Sequence, residues 1–141
     1  MALHNDIGHM GEDATCAYLT GRGYKIVERN WRLGNIEIDI IAENETDVVF
    51  VEVKTRTTTY GDVNPEEYVD ERKRRFMTVA GNAYIKHTRC NKNLRFDIAG
   101  ILWNKQTNTV SDIHYYEDAF RPKLRTVHSS SYNGQWNWHR R

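Results

Sequence analysis

The chain has 141 residues, with 20 Lys plus Arg against 19 Asp plus Glu and a formal net charge of +1. That length fits about one domain and leaves no room for a separate recognition domain, and the near-zero charge excludes a protein-wide field that would draw in nucleic acid. Cys16 and Cys90 stand without any Cys-x-x-Cys, which indicates neither a disulfide framework nor a zinc site, and the lack of an apolar leader or long uncharged run leads us to expect reduced thiols and a soluble, cytoplasmic protein.

In chain order, Asn5 or Asp6 is the expected cap of a helix running to about Thr20. Ile7, Met10, Ala14, Ala17 and Tyr18 fall at helical spacing, and Gly21-Arg22-Gly23 ends it. Glu12 lies near its middle, a position equally open to a plain solvent-facing glutamate. Residues 24–31 read as a first strand. From residue 36 onward the chain alternates, with Ile36, Ile38 and Ile40 expected on one face and Glu37 and Asp39 on the other. Residues 49–54 alternate again, Val49, Val51 and Val53 against Phe50, Glu52 and Lys54. The polar stretch Glu43-Asn44-Glu45-Thr46-Asp47 between these runs has the composition of a hairpin turn. It would pair them antiparallel and bring Asp39 near Glu52.

Two carboxylates about 4 Å apart repel by roughly 4 kcal/mol at an effective dielectric of about 20, and Lys54 supplies a single positive charge. A divalent cation would restore the balance. Oxygen ligands suit Mg²⁺ or Mn²⁺, with Asp39, Glu52 and the Val53 carbonyl as protein ligands and Lys54 orienting or deprotonating an attacking water. Glu-x-Lys alone is too short to decide this, since a solvated same-face ion pair has the same spelling. Glu37 shares the expected face of Asp39 one rung along and is a candidate for support from behind the ligands. Arg56, at the end of the same run, is a candidate phosphate contact because a guanidinium grips phosphate oxygens with two hydrogen bonds.

A loop at 60–65 precedes two candidate helix starts, Asn64 capping Pro65 or a later start at Asp70, with the helix continuing to about His87. Phe76, Met77, Val79, Ala80, Ala83, Tyr84 and Ile85 are its expected buried stripe, and Gly81 is expected to weaken it by up to about 1 kcal/mol. Arg72-Lys73-Arg74-Arg75 opens this helix. Four consecutive cations on a helix point around its circumference, so only one or two of them can face the cleft, against the plain alternative of a solvated helix face. Residues 94–103 and 110–116 read as two more strands, and Asp97 as a structural partner for an arginine. After Phe120 the sequence turns basic, then polar with scattered aromatics. The expected division is a domain over 1–120 and a flexible tail over 121–141, with base stacking by the tail's Tyr and Trp as an alternative.

Asp39 followed by Glu52-Val53-Lys54 resembles the PD-(D/E)XK nuclease superfamily. More closely, Gly11-Glu12-Asp13-Ala14, Tyr18-Leu19, Gly23-Tyr24, Arg29-Asn30-Trp31-Arg32, Glu37-Ile38-Asp39-Ile40-Ile41-Ala42, residues 49–56, Lys73-Arg74-Arg75 and Arg95-Phe96-Asp97 resemble the YraN-like family of mostly uncharacterised bacterial proteins. One departure is visible: that family usually has Gly directly before Glu-Ile-Asp, and Ile36 stands here. The resemblance implies a restriction-endonuclease-like α/β domain, a mixed sheet flanked by helices in the order α-β-β-β-α-β-β. It also implies that Glu12, as in archaeal Holliday-junction resolvases, joins Asp39, Glu52 and Lys54 as a catalytic residue, and that Lys73, which matches the family's lysine, is the member of the basic run that faces the cleft as a nucleic-acid contact. The expectation is therefore a Mg²⁺- or Mn²⁺-dependent endodeoxyribonuclease, selective for branched or nicked DNA, in repair or recombination. DNA is the expected partner, with a homodimer left open and no membrane association. The alternative is a catalytically silent nucleic-acid-binding or protein-interaction module with the same fold.

Overall fold

The computed structural model describes residues 4–57 and 69–121. The elements run α1 (His4–Gly21), β1 (Lys25–Leu33), β2 (Ile36–Glu43), β3 (Asp47–Arg56), α2 (Glu71–Thr88), β4 (Asn93–Asn104) and β5 (Thr109–Phe120). This is the α-β-β-β-α-β-β order expected from the sequence. The loop at 60–65, the helix start at Pro65 and the tail from 122 lie outside the described residues.

The five strands form one sheet in the order β1-β2-β3-β4-β5. Neighbours are antiparallel except β3 and β4, which pair in parallel from Asp47/Asn93 to Arg56/Leu102. Asn44 makes the β2–β3 turn: its Oδ1 accepts from Thr46 N at 3.0 Å and Asp47 N at 2.7 Å, and its own N–H donates to Asp47 O at 3.0 Å. α2 is the crossover between the parallel strands.

Alternation along the strands builds a core on each face of the sheet. Val48, Phe50, Phe96, Ile98 and Phe120 pack with Met77, Ala80 and Tyr84 of α2. Val49, Val51, Ala99 and Ile101 pack with Leu19 of α1. The helices thus cover opposite faces, as a sheet apolar on both sides requires.

Three local expectations need correcting. Asn5 and Asp6 do not cap α1, because the helix already begins at His4; Asp6 lies in the first turn, where a carboxylate suits the positive end of the helix. Phe76 is 38 % exposed rather than part of the α2 stripe. The Arg72 guanidinium lies over its ring, 5.2 Å from the centroid. β5 continues past Tyr116 to Phe120, because a bulge that includes the left-handed Asp118 (φ 51°) realigns Phe120 with Phe96. α2 takes the later of its two starts, with Asp70 as cap accepting from Lys73 N at 2.8 Å.

Gly81 has a use that helix propensity does not reveal. A Cβ there would lie 3.0 Å and 3.1 Å from two ring carbons of Phe96 and 3.3 Å from Leu94 Cδ1, so the bare backbone lets α2 seat directly on β4. Phe96 is itself stacked on Phe120 and tilted on Phe50, which leaves it nowhere to yield. Gly81→Val should destabilise the protein by about 1–3 kcal/mol, the cost of overpacking outweighing the better helix propensity. Urea denaturation measures this directly, and a midpoint equal to or above that of wild type would refute the close-approach account.

Candidate active site

The β2–β3 ladder runs from Glu43/Val48 to Ile40/Val51 and stops. β3 goes on beside β4 alone as far as Arg56. At the rung where β2 leaves, Val53 N–H donates to Asp39 Oδ2 at 2.8 Å, so a side-chain carboxylate stands where a neighbouring strand's carbonyl would be. The Asp39 carboxyl is also hydrogen-bonded to Glu52.

The regular alternation expected for β2 does not hold through this point. Ile36 and Ile38 pack on the α2 side, but Ile40 packs on the α1 side, with Ile41 back on the α2 side. The pleat slips by one residue at Asp39. Its carboxylate is thereby turned into the gap beside β3, where it meets Val53, instead of standing on a sheet face with Glu37.

Glu52 is 3 % exposed at the end of the apolar run of β3. The ammonium groups of Lys54 and Lys73 each lie 3.5 Å from its Oε2. Lys54 comes from the next same-face position of β3 and Lys73 from the first turn of α2. The charge balance read from sequence therefore changes: two lysines, not one, face Glu52. Asp39 is the carboxyl pushed up, to about 8. Burial is the largest cause, followed by the charge of Glu52 and the hydrogen bond with it; the Val53 N–H pulls the other way and the charge of Glu12 adds to the rise.

Glu12 reaches this edge from α1. Its Oε1 accepts from Asn30 Nδ2 at 3.3 Å and from Arg29 Nη2 at 3.5 Å, while Arg29 Nη1 pairs with Asp13 at 2.8 Å. Gly11 permits the approach, since a Cβ there would fall 2.5 Å from Thr55 Oγ1 on β3. Glu37 has a different partner from the one expected: it takes Arg32, directly opposite on β1, at 2.6 Å. Arg56 ends β3, exposed, on the side given by the alternation through Glu52 and Lys54.

Among the described residues no three His, Cys, Asp or Glu groups converge as a ready-made metal cage. What Asp39, Glu52 and the Val53 carbonyl offer is a partial shell of hard oxygen atoms, which fits Mg²⁺ or Mn²⁺ held together with waters and phosphate oxygens. Arg29 and Asn30 are the site neighbours that the sequence reading did not assign. They lie in the Arg29-Asn30-Trp31-Arg32 run, but nothing in the spacing says that Asn30 leaves the regular strand conformation. A concavity of about 660 Å³ lies elsewhere, at the start of β3 and the end of β5, lined by Asp47, Arg95, Asp118 and Phe120 among others. Its charged groups are engaged with one another, Arg95 with Asp47 at 3.9 Å and Arg121 with Asp118 at 2.6 Å.

Comparison with known proteins matches residues 11–101 to the model of the uncharacterised protein family UPF0102. A UPF0102 protein of Bacteroides thetaiotaomicron is 42% identical over 124 residues, 88% of this chain and 99% of its own. One of Phocaeicola vulgatus is 38% identical over 125 residues, again 88% and 99%. One of Flavobacterium psychrophilum is 38% identical over 121 residues, 85% and 98%.

The raised Asp39 gives stability a definite pH dependence in metal-free protein. Between its ordinary value of 3.8 and about 8 the native state keeps a proton that the unfolded chain has released, so stability falls as pH rises through that window. The limiting slope for one proton is about 1.4 kcal/mol per pH unit. Thermal melts in chelator from about pH 5 to 8 should show wild type losing stability faster than Asp39→Asn; parallel profiles would remove the shift from Asp39.

Proposed function

This chain belongs to the uncharacterised family UPF0102, and from its site we propose that it is a Mg²⁺- or Mn²⁺-dependent endonuclease acting on DNA phosphodiesters. The observation that carries the reading is the meeting of Asp39 and Glu52 where β2 and β3 part, with Lys54 and Lys73 on Glu52 and Glu12 alongside. A buried pair of acids that can ionise together only at a high electrostatic cost is the arrangement a cation relieves, by taking the place of the proton on Asp39.

Asp39, Glu52 and the Val53 carbonyl would hold the ion, which supplies Lewis-acid activation and charge neutralisation at the phosphate. The chain's own groups do the rest. Lys54, exposed beyond Glu52, would orient the attacking water, its ammonium offsetting the negative charge that builds up as the new P–O bond forms and the bond to the departing oxygen breaks, while the water's proton passes to bulk water. Arg56 and Lys73 draw the phosphate backbone toward the same end of β3, and a proton delivered to the departing oxygen completes hydrolysis. Selectivity in this reading rests on the shape of the DNA, which favours branched or nicked substrates in repair or recombination.

A second reading has its own support. Lys54 and Lys73 already offset the charge of Glu52 without any metal, as a silent nucleic-acid-binding or protein-interaction module would need. Mn²⁺ titration separates the two. A dissociation constant of about 1 mM would raise stability by roughly 1.4 kcal/mol at about 10 mM metal, and Asp39→Ala plus Glu52→Ala should abolish the gain. No stabilisation of wild type favours the silent module.

Purified protein with Mn²⁺ should cleave nicked, flapped or four-way DNA faster than linear duplex. Lys54→Ala should reduce cleavage by about 10² while leaving DNA affinity nearly unchanged, and Lys54→Met, which keeps the stem, should match it. Wild-type rates in both variants would place the activity elsewhere.

A further inference from the structure

We infer that Asn30 is the positioning residue that sets Asp39 in the gap between β2 and β3. The inference takes from the proposed function only the reason why Asp39 must be there. Asn30 lies on the β1 rung facing Asp39, between the pairs Arg29/Ile40 and Trp31/Ile38. Its φ is +53°, a left-handed conformation in a strand whose neighbours are extended. Asparagine tolerates this better than other residues with a side chain.

Both strands change face at that one rung. On β1, Arg29 reaches α1 through Glu12 and Asp13, whereas Trp31, two residues on, packs edge-on against Tyr84 of α2. On β2, Ile38 joins the α2-side core and Ile40 the α1-side core. Residues two apart in a regular strand share a face, so the pleat slips at Asn30 and Asp39 together. The slip keeps the pairing register intact on either side. The β2–β3 ladder ends at Ile40/Val51, so beyond it Val53 N–H has the Asp39 carboxylate as its acceptor in place of a β2 carbonyl, and that carboxylate lies beside Glu52. The Asn30 side chain uses the same turn, its amide donating to Glu12 Oε1 at 3.3 Å. One residue thus registers Glu12 of α1 and Asp39 of β2 to the open end of β3.

The test uses the Val53 amide, which donates to Asp39, as its reporter, and full-length protein without metal, so failure of the nuclease reading leaves it intact. Hydrogen exchange at Val53 is compared in wild type, Asp39→Ala, Asn30→Ala and Asn30→Gly. Glycine accepts the left-handed backbone without strain and alanine does not. We expect Asp39→Ala and Asn30→Ala to accelerate exchange at Val53 at least tenfold relative to amides of β4, and Asn30→Gly to stay within about threefold of wild type. An Asn30→Ala chain that does not fold beside a native Asn30→Gly leads to the same conclusion, because the two differ by one methyl group. Wild-type protection of Val53 in a folded Asn30→Ala, or equal loss in Asn30→Gly, would overturn the assignment.

Discussion

Burying Glu52 is the constraint around which this domain is arranged. A carboxylate closing the apolar run Val48-Val49-Phe50-Val51 loses most of its hydration, and an unpartnered charge there would cost several kcal/mol. Lys54 comes from the same strand at no topological cost. Lys73 has to be delivered by α2, so the crossover helix must start at the right height and lie close to the sheet. Asp70 fixes the start, and Gly81, seated on Phe96, fixes the closeness. Features that look unrelated in sequence, a cap and a helix glycine, thus serve one ion cluster.

The other buried carboxylate shows what a purely structural solution looks like. Asp97, fully buried on β4, accepts from Arg95 Nε at 2.9 Å and Nη2 at 2.8 Å, from Tyr115 Oη at 2.6 Å and from Asp118 N at 2.9 Å. Both oxygens are taken up in short bonds, and the proximity of Asp97 together with burial pushes the Tyr115 hydroxyl well above its ordinary range, burial being the larger cause. Such a network is rigid and has nothing left to offer a ligand. Glu52 is served instead by two ammonium groups at 3.5 Å, contacts long enough to be exchanged, and Asp39 by a backbone amide and a second acid. The contrast in bond length and partner type distinguishes the two acids more sharply than burial does.

Element order, the β2–β3 hairpin and the approach of Asp39 to Glu52 were legible because hydrophobic alternation and a polar turn are local signals. The role of Asp97 was legible too. What was not legible depends on contacts across the fold. Perfect alternation on paper put Ile40 with Ile38, yet a single left-handed residue on the neighbouring strand separates them. Gly81 looked like a defect of α2 until Phe96 was placed beneath it, and Phe76 looked buried until α2 was rotated by the packing of Met77, Ala80 and Tyr84. Glu37 looked like a companion of Asp39 until its rung gave it Arg32. Lys73 was picked out as facing the cleft, but its salt bridge to Glu52 comes from helix placement, which spacing does not encode.

The topology also bears on how the chain reaches this state. β1, β2 and β3 form a meander and β4 and β5 a hairpin, so the sheet consists of two local blocks joined by one parallel, non-local seam between β3 and β4. Closing that seam carries the largest loop-closure cost in the sheet and is the step expected to limit the folding rate. Until it closes, β3 is an open edge with the aggregation-prone run Val48-Val49-Phe50-Val51 exposed. The charges of Glu52 and Lys54 then sit directly beside that run and oppose its pairing with other chains, so residues placed for chemistry in the native state act as gatekeepers before it forms.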